Sequence, residues 1–260
     1  MPSRTHVLVA ALGIAIATLA VYAPVVDYPF LSWDDVEYVE NTPTLREPLG
    51  VDAIVRAFAR KYESNWIPLT WLSLHLDAAL FGIDPAVYHV ENVLLHVVTS
   101  CLLLFAFARA TGSVGASAFA AGVFALHPLH VESVAWVAQR KDCLSGLFFA
   151  LAIAAHLEHA RSGARRHRVA TLVAGAAAML SKPTAVVLPL ALLLLDLWPL
   201  GRIEPARLRA TLAPRIRLQL PLFAMALGAG GLTVAAQRSA GSIELLQLPL
   251  LWRVMNALWS

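Results

Sequence analysis

Residues 30–43 read FLSWDDVEYVENTP and place Asp34, Asp35, Glu37 and Glu40 within seven positions, directly after an apolar run. Farther on, His89, Asn92, His96, Thr99 and Ser100 fall within about a 100° arc of one helix, with Leu94, Leu95, Leu102 and Leu103 outside it. A polar stripe on an otherwise apolar helix faces either a wet cavity or neighbouring helices to which it hydrogen-bonds. A third group lies in HPLHVESVAWVAQRKD, residues 127–142. With Pro128 opening a helix, Val131, Val134, Ala135 and Ala138 form one face, and His130, Ser133, Arg140 and Lys141 the other. Such a helix presents base and cation to water, either for an anionic substrate or for lipid headgroups. Lys182 stands alone in Ser181-Lys182-Pro183 between two apolar runs. His127 and His130 lack the H-E-x-x-H spacing of zinc proteases, and no Walker loop, Gly-rich dinucleotide turn or nucleophile elbow is present, so no organic cofactor is expected.

The elements that must position these residues are apolar. Hydrophobic residues make up 58% of the 260 and charged ones 14%, against about 45–50% and about 25% in an ordinary soluble domain. The chain therefore reads as an all-α, multispan helical membrane protein. Seven runs approach the roughly 20 residues a span needs: about 7–26, 89–108, 113–128, 143–158, 166–181, 184–200 and 217–236. The first reads as an uncut anchor, because the small-residue site Val21-Tyr22-Ala23 is followed by Pro24. Cys101 and Cys143 have no metal spacing and read as small apolar fillers. Gly112, Gly115, Gly122 and the LGAGG around Gly228 read as points of close helix packing or a kink.

Charge sets the expected orientation. Arg161, Arg165, Arg166 and Arg168 fill one connection, and Arg202, Arg207, Arg209, Arg215 and Arg217 another, so both belong on the cytoplasmic side with Arg4 and Arg109. The apolar stretch between them must cross an even number of times, as two short spans meeting at Lys182 on the outer side. Eleven of the seventeen carboxylates lie between Asp27 and Glu91, in or beside the first outer loop. Glu132, Asp142 and Glu244 fall in later outer segments, and Glu158, Asp196 and Glu204 on the inner side. The net charge of +3 is thus a matter of topology and gives no support for nucleic-acid binding. In the first outer loop, about 27–88, LGVDAIVRAFARKYES has Ile54, Val55, Phe58 and Tyr62 at helical spacing, with Arg56, Arg60 and Lys61 elsewhere, as in a helix on the membrane surface. WIPLTWLSLHLDAALFG is apolar but interrupted by His75 and Asp77, which places it at the interface with Trp66 and Trp71 as belt residues.

FLSWDDVEYV, WIPLTWLSLHLDAALFGIDPAVYHVENVLLH, ALHPLHVESVAWVAQRKDCLSGLFF, SKPTAVVLPLALLLLDLWPLGR and the closing RVMNALWS, in this order, resemble the membrane region of the transmembrane-and-tetratricopeptide-repeat proteins. Those are similar to type-C glycosyltransferases, whose animal members are protein O-mannosyltransferases. The resemblance implies further spans and tetratricopeptide repeats after this region, and no 34-residue repeat occurs in the chain. It also implies a function: transfer of a mannose-like sugar from a polyprenyl-phosphate donor to an acceptor hydroxyl of a protein or glycan on the outer face of the membrane; the abundance of Ala, and of Arg over Lys, points to a GC-rich bacterial genome and hence to the inner membrane.

In that reading Asp34, with Asp35 beside it, is the general base, and the pair is the expected seat of a divalent cation such as Mg²⁺ or Mn²⁺. One aspartate enters the site and the other braces the loop, while Glu37 and Glu40 belong to solvated loop. Arg140, Lys141 and Lys182 are the expected partners of the leaving phosphate. His89, Asn92, His96, His130 and Glu132 complete the expected substrate site. A transporter with the polar stripe along its pathway, and a non-catalytic membrane scaffold, are the rival readings.

Overall fold

The computed structural model describes residues 3–59 and 65–239, with 249, 251, 252, 255 and 256 beyond them. Every apolar run of the sequence is helical: α1 (Arg4–Tyr22), α4 (Pro85–Thr111), α5 (Val114–Leu126), α7 (Arg140–Ser162), α8 (Arg165–Ser181), α9 (Leu188–Leu197) and α10 (Leu208–Ser239). Three further helices, α2 (Val51–Ala59), α3 (Pro68–Phe81) and α6 (His130–Ala135), belong to the connections, and the described residues form no β-strand. Four helical stretches, Arg4–Asp27, Pro85–Thr111, Val137–Ser162 and Pro205–Ser239, are long and apolar enough to cross a membrane. Val114–Leu126 and Pro183–Leu197 are apolar but shorter. The chain is an all-α, multi-pass membrane protein.

Two glycines make the tight reversals. Gly112 ends α4 at φ 76° and Gly163 ends α7 at φ 66°, both in the left-handed region that a Cβ disfavours. Each returns the chain as an antiparallel partner, α5 against α4 and α8 against α7. α1 lies along both α4 and α5 through Val7 and Ala11, packed with Leu104, Ala108 and Ala121.

The bundle has two chemically distinct ends. At one, Arg4, Arg109 and Arg161 line a common groove, Arg109 pairs with Glu158, and Arg168 bonds to Gln219 at 3.4 Å. Arg202 pairs with buried Asp196 at 2.8 Å, and His156, near the end of α7, meets the same carboxylate at 3.2 Å. At the other end, Lys182 pairs with Asp142 at the start of α7, and Thr70 of α3 donates to the Ser181 carbonyl at 2.9 Å. Helix α8 therefore runs from the arginine end to the acidic end, and α9 returns. The two arginine clusters therefore lie at one end of the bundle, as an even number of passes between them requires.

Several expectations are corrected. The 66–82 segment does not lie with Trp71 as a belt residue: Trp71 is buried and stacks on Tyr38 with ring centroids 4.8 Å apart. Its Asp77 is tolerated because a buried guanidinium pairs with it, which removes the cost that argued for the interface. The 127–142 segment is not one surface helix. Helix α6 ends at Ala135, Trp136 is extended, and a 3-10 turn over Val137–Gln139 leads into α7. Val137, Ala138 and Arg140 are buried there. Helix α2 does present Ile54, Val55 and Phe58 outward, whereas Arg60, Lys61 and Tyr62 lie outside the described residues, as does Glu244.

The glycine reading is corrected as well. A Cβ at Gly115, Gly122, Gly228, Gly230 or Gly231 would meet nothing within 4 Å. The close approach is at Gly175 of α8, where a Cβ would stand 2.6 Å from Leu222 Cδ2 and 3.0 Å from Leu188 Cδ2. Leu188 and Leu222 are both fully buried, so neither can yield without moving α9 or α10. Gly175→Val should lower stability by about 1–3 kcal/mol through overpacking, with Gly122→Val within about 0.5 kcal/mol of the parent, as read from thermal unfolding in detergent.

Candidate functional site

The acidic loop enters as a helical segment. Asp34 and Asp35 open it, and Val36–Glu40 form one π-helical turn closed by the Asn41 N–H donating to the Val36 carbonyl at 2.7 Å. Single π turns are frequent at functional sites. Tyr38 and Val39 of this turn are buried, Tyr38 against Trp71, and Glu37 and Glu40 are exposed.

Neighbours on a helix differ by about 100°, so the two aspartates still diverge. Asp35 is fully buried; one carboxylate oxygen accepts from the Ala138 N–H at 2.7 Å and the other from the Leu31 N–H at 3.0 Å. Burial raises its carboxyl above the ordinary carboxylate range, against the pull of those two N–H groups and of His89; Asp34 pushes the same way as burial. Asp35 thus ties the loop to the turn before α7, and Asp34, half-buried, is the aspartate left to face the mouth.

For a divalent cation, Asp35 offers only the lone pairs that its backbone partners leave. Both Asp35 oxygens are engaged by backbone, and among the described residues no group of three or more His, Cys, Asp or Glu is disposed to hold a metal. The expected Mg²⁺ or Mn²⁺ at Asp34 and Asp35 is therefore not carried further.

Arg140 is the largest correction. It is fully buried rather than presented to water. Its guanidinium bonds to Asn92 Oδ1, to Ser73 Oγ at 2.9 Å and to the Tyr88 carbonyl at 3.0 Å, and pairs with Asp77 at 2.8 Å. This binds α3, α4 and α7 together and leaves the guanidinium no exposed face for a phosphate. Lys141, one position on, is half-buried with Nζ 4.9 Å from the centre of the Tyr38 ring. It interacts electrostatically with Asp34, Asp35, Asp142 and Lys182. Lys182 is not unpaired, since Asp142 neutralises it, and Asp142 also accepts from Ser133 at 3.3 Å.

The polar stripe of α4 is buried throughout, as its spacing implies. Asn92 holds Arg140 and donates to the Trp136 carbonyl at 3.1 Å, so it acts as glue between helices, whereas Ser100 bonds only within its own helix. His96 meets the Ala125 carbonyl at 3.0 Å but, with Thr99, also lines a cavity of about 490 Å³. His130, Ser133, Asp142, Ser145 and Thr184 complete its polar lining. Burial lowers the His130 imidazole below its ordinary value; His127 adds to this and Asp142 opposes it. His89 is buried, packs edge-on against Tyr28 and interacts with the backbone of Tyr28, Pro29 and Ala135. Glu132 is exposed, at 3.5 Å from Gln139. The structure thus gathers Asp34, Asp35, Lys141, Lys182 and His130 at one end, and separates Glu132 from the cavity. Asp142, which lines the cavity with Ser133, was not among the expected site residues; a carboxylate beside Lys141 at the head of an apolar helix was the available signal.

Comparison with known proteins now bears on this arrangement. The family model described as dolichyl-phosphate-mannose-protein mannosyltransferase matches residues 68–214, more than half of the chain. The chain belongs to that mannosyltransferase family. The matched segment runs from α3 into α10, and Asp34 and Asp35 precede it. Among curated relatives, the protein O-mannosyl-transferases Tmtc2 and Tmtc1 of Drosophila melanogaster are 34% and 36% identical over 56% and 53% of this chain. The human protein O-mannosyl-transferase TMTC2 is 38% identical over 36% of it. These matches take in 16%, 16% and 11% of the relatives, so the chain spans a small part of the curated proteins it matches. No solved structure matches significantly.

Membership in the mannosyltransferase family makes the Arg140 hub a test of the whole end of the bundle. Arg140→Met should strand the Asp77 charge and cost about 3–5 kcal/mol, and adding Asp77→Leu should recover most of that loss, measured as thermal unfolding of the detergent-solubilised protein.

Proposed function

We propose that this protein transfers a mannose-like sugar from a polyprenyl-phosphate donor to an acceptor hydroxyl at the acidic end of the bundle. The observation that carries the reading is the meeting of Asp34, Lys141 and the Asp142–Lys182 pair at one end, where Asp142, His130 and Ser133 also line a largely apolar cavity, in a chain of the mannosyltransferase family. Asp34 takes the proton of the acceptor hydroxyl as that oxygen attacks the sugar's anomeric carbon. The bond from that carbon to the lipid phosphate oxygen breaks, and Lys141 and Lys182 stabilise the negative charge left on the phosphate. Lys182 reaches it by exchanging the Asp142 carboxylate for the phosphate oxygens. His130, Ser133 and Thr184 supply hydrogen-bonding groups for sugar hydroxyls within the cavity.

Positive-inside bias places the arginine end in the cytoplasm and the acidic end outside it, which for a bacterial cell is the periplasmic face of the inner membrane. The acceptor is then an exported protein or glycan.

Purified protein incubated with polyprenyl-phospho-mannose and an acceptor peptide should release polyprenyl phosphate. Asp34→Asn should cut turnover by about 10²–10⁴-fold with the unfolding temperature unchanged. Equal turnover by the variant would remove Asp34 as the base, and the absence of transfer by the parent protein would reject the reaction.

A further inference from the structure

The larger groove is at the other end of the molecule, where the reaction has no use for it. It measures about 710 Å³ and opens beside α1 and the last turns of α4, walled by Val7, Leu8 and Phe105 and rimmed by Arg4, Arg109 and Arg161. The rim carries an excess of positive charge: three guanidinium groups stand against the single carboxylate of Glu158, which takes Nε and one terminal nitrogen of Arg109. Arg161 has a structural reason to be there, because it donates to the Arg109 carbonyl at 2.8 Å and so caps the end of α4. Arg4 has none. It lies exposed in the first turn of α1, where a cation opposes the helix dipole, with no acidic residue in that turn and no side-chain cap from Ser3. An anion on the rim would relieve that opposition.

The wall below the rim narrows the class of anion. Leu8 and Phe105 are 59% and 42% exposed on the groove, and a small hydrated anion would leave them so. A ligand with a phosphate at one end and a hydrocarbon chain at the other satisfies both parts. We propose that this groove binds an anionic phospholipid of the leaflet at the arginine end, with the headgroup phosphate among Arg4, Arg109 and Arg161 and an acyl chain along Val7, Leu8 and Phe105. The site is independent of the sugar-transfer reading, since none of its residues belongs to the acidic end.

The test is thermal stabilisation of the purified protein in neutral detergent by short-chain phosphatidylglycerol, titrated against phosphatidylcholine of the same chain length and against glycerol phosphate. Phosphatidylglycerol should stabilise, and the other two should not at equal concentration. Arg4→Gln should weaken the effect about fivefold, the equivalent of ~1 kcal/mol per basic residue near the membrane surface, and Arg4→Gln with Arg161→Gln by more than tenfold. Glu158→Gln, which removes the competing carboxylate, should leave the affinity equal or tighter. Equal stabilisation by phosphatidylcholine, equal stabilisation by glycerol phosphate, or unchanged affinity in Arg4→Gln would each overturn the proposal. Because Arg4 is exposed, its variant reads binding without a loss of fold.

Discussion

A single buried guanidinium organises the acidic end of this protein. Removing a cation from water costs several kcal/mol unless hydrogen bonds and an opposite charge replace its hydration. Arg140 has them: Asp77 and Ser73 from α3, and Asn92 with the Tyr88 carbonyl from α4. Because Asp77 and the Asn92 side chain would be left with unmet polar groups without it, this contact fixes how α3, α4 and the head of α7 meet. The residues around Arg140 inherit that register. Asp35 takes the Ala138 N–H two positions before it, which fixes the acidic loop. Lys141 and Asp142, one and two positions after it, turn away from the buried guanidinium toward the mouth.

The division of labour between the two aspartates follows from the same anchoring. A carboxylate whose two oxygens both hold backbone N–H groups is a brace, and Asp35 is one. Its fixed position is what keeps half-buried Asp34 beside Lys141 rather than loose in solvent. The Asp142–Lys182 pair performs the parallel task for the turn between α8 and α9, storing a cation next to the cavity at a cost that the pairing offsets. The bundle thus carries an acidic, polar end and a basic-rimmed end, separated by the length of its helices.

How much of this was legible in the sequence depends on the range of the interaction. The apolar runs were legible because span length and hydropathy are local, and all seven are helices. The stripe His89, Asn92, His96, Thr99, Ser100 was legible because helical periodicity alone sets which residues share a face, and all five are buried. The there-and-back path of α8 and α9 followed from the arginines. Arg140 was misplaced because its partners are 48 to 67 residues away, and nothing local distinguishes a guanidinium that will be buried from one that binds a headgroup. Asp77 in the middle of an apolar run was the missed sign, for a charge there needs a partner. Gly175 escaped notice for a similar reason: the side chains that require it, Leu188 and Leu222, come from two other helices.

The account depends on the acidic loop and the α8–α9 turn opening into one compartment while the arginine end opens into the other. The direct measurement is labelling with a membrane-impermeant maleimide in intact cells and in inverted vesicles, using single-cysteine variants Glu37→Cys, Thr184→Cys and Arg165→Cys in a background without Cys101 and Cys143. Residues 37 and 184 should react together from the outside of the cell, and residue 165 only from the cytoplasmic face. Reaction of 37 and 184 from opposite faces would separate Asp34 from Lys182 by a bilayer and contradict the site.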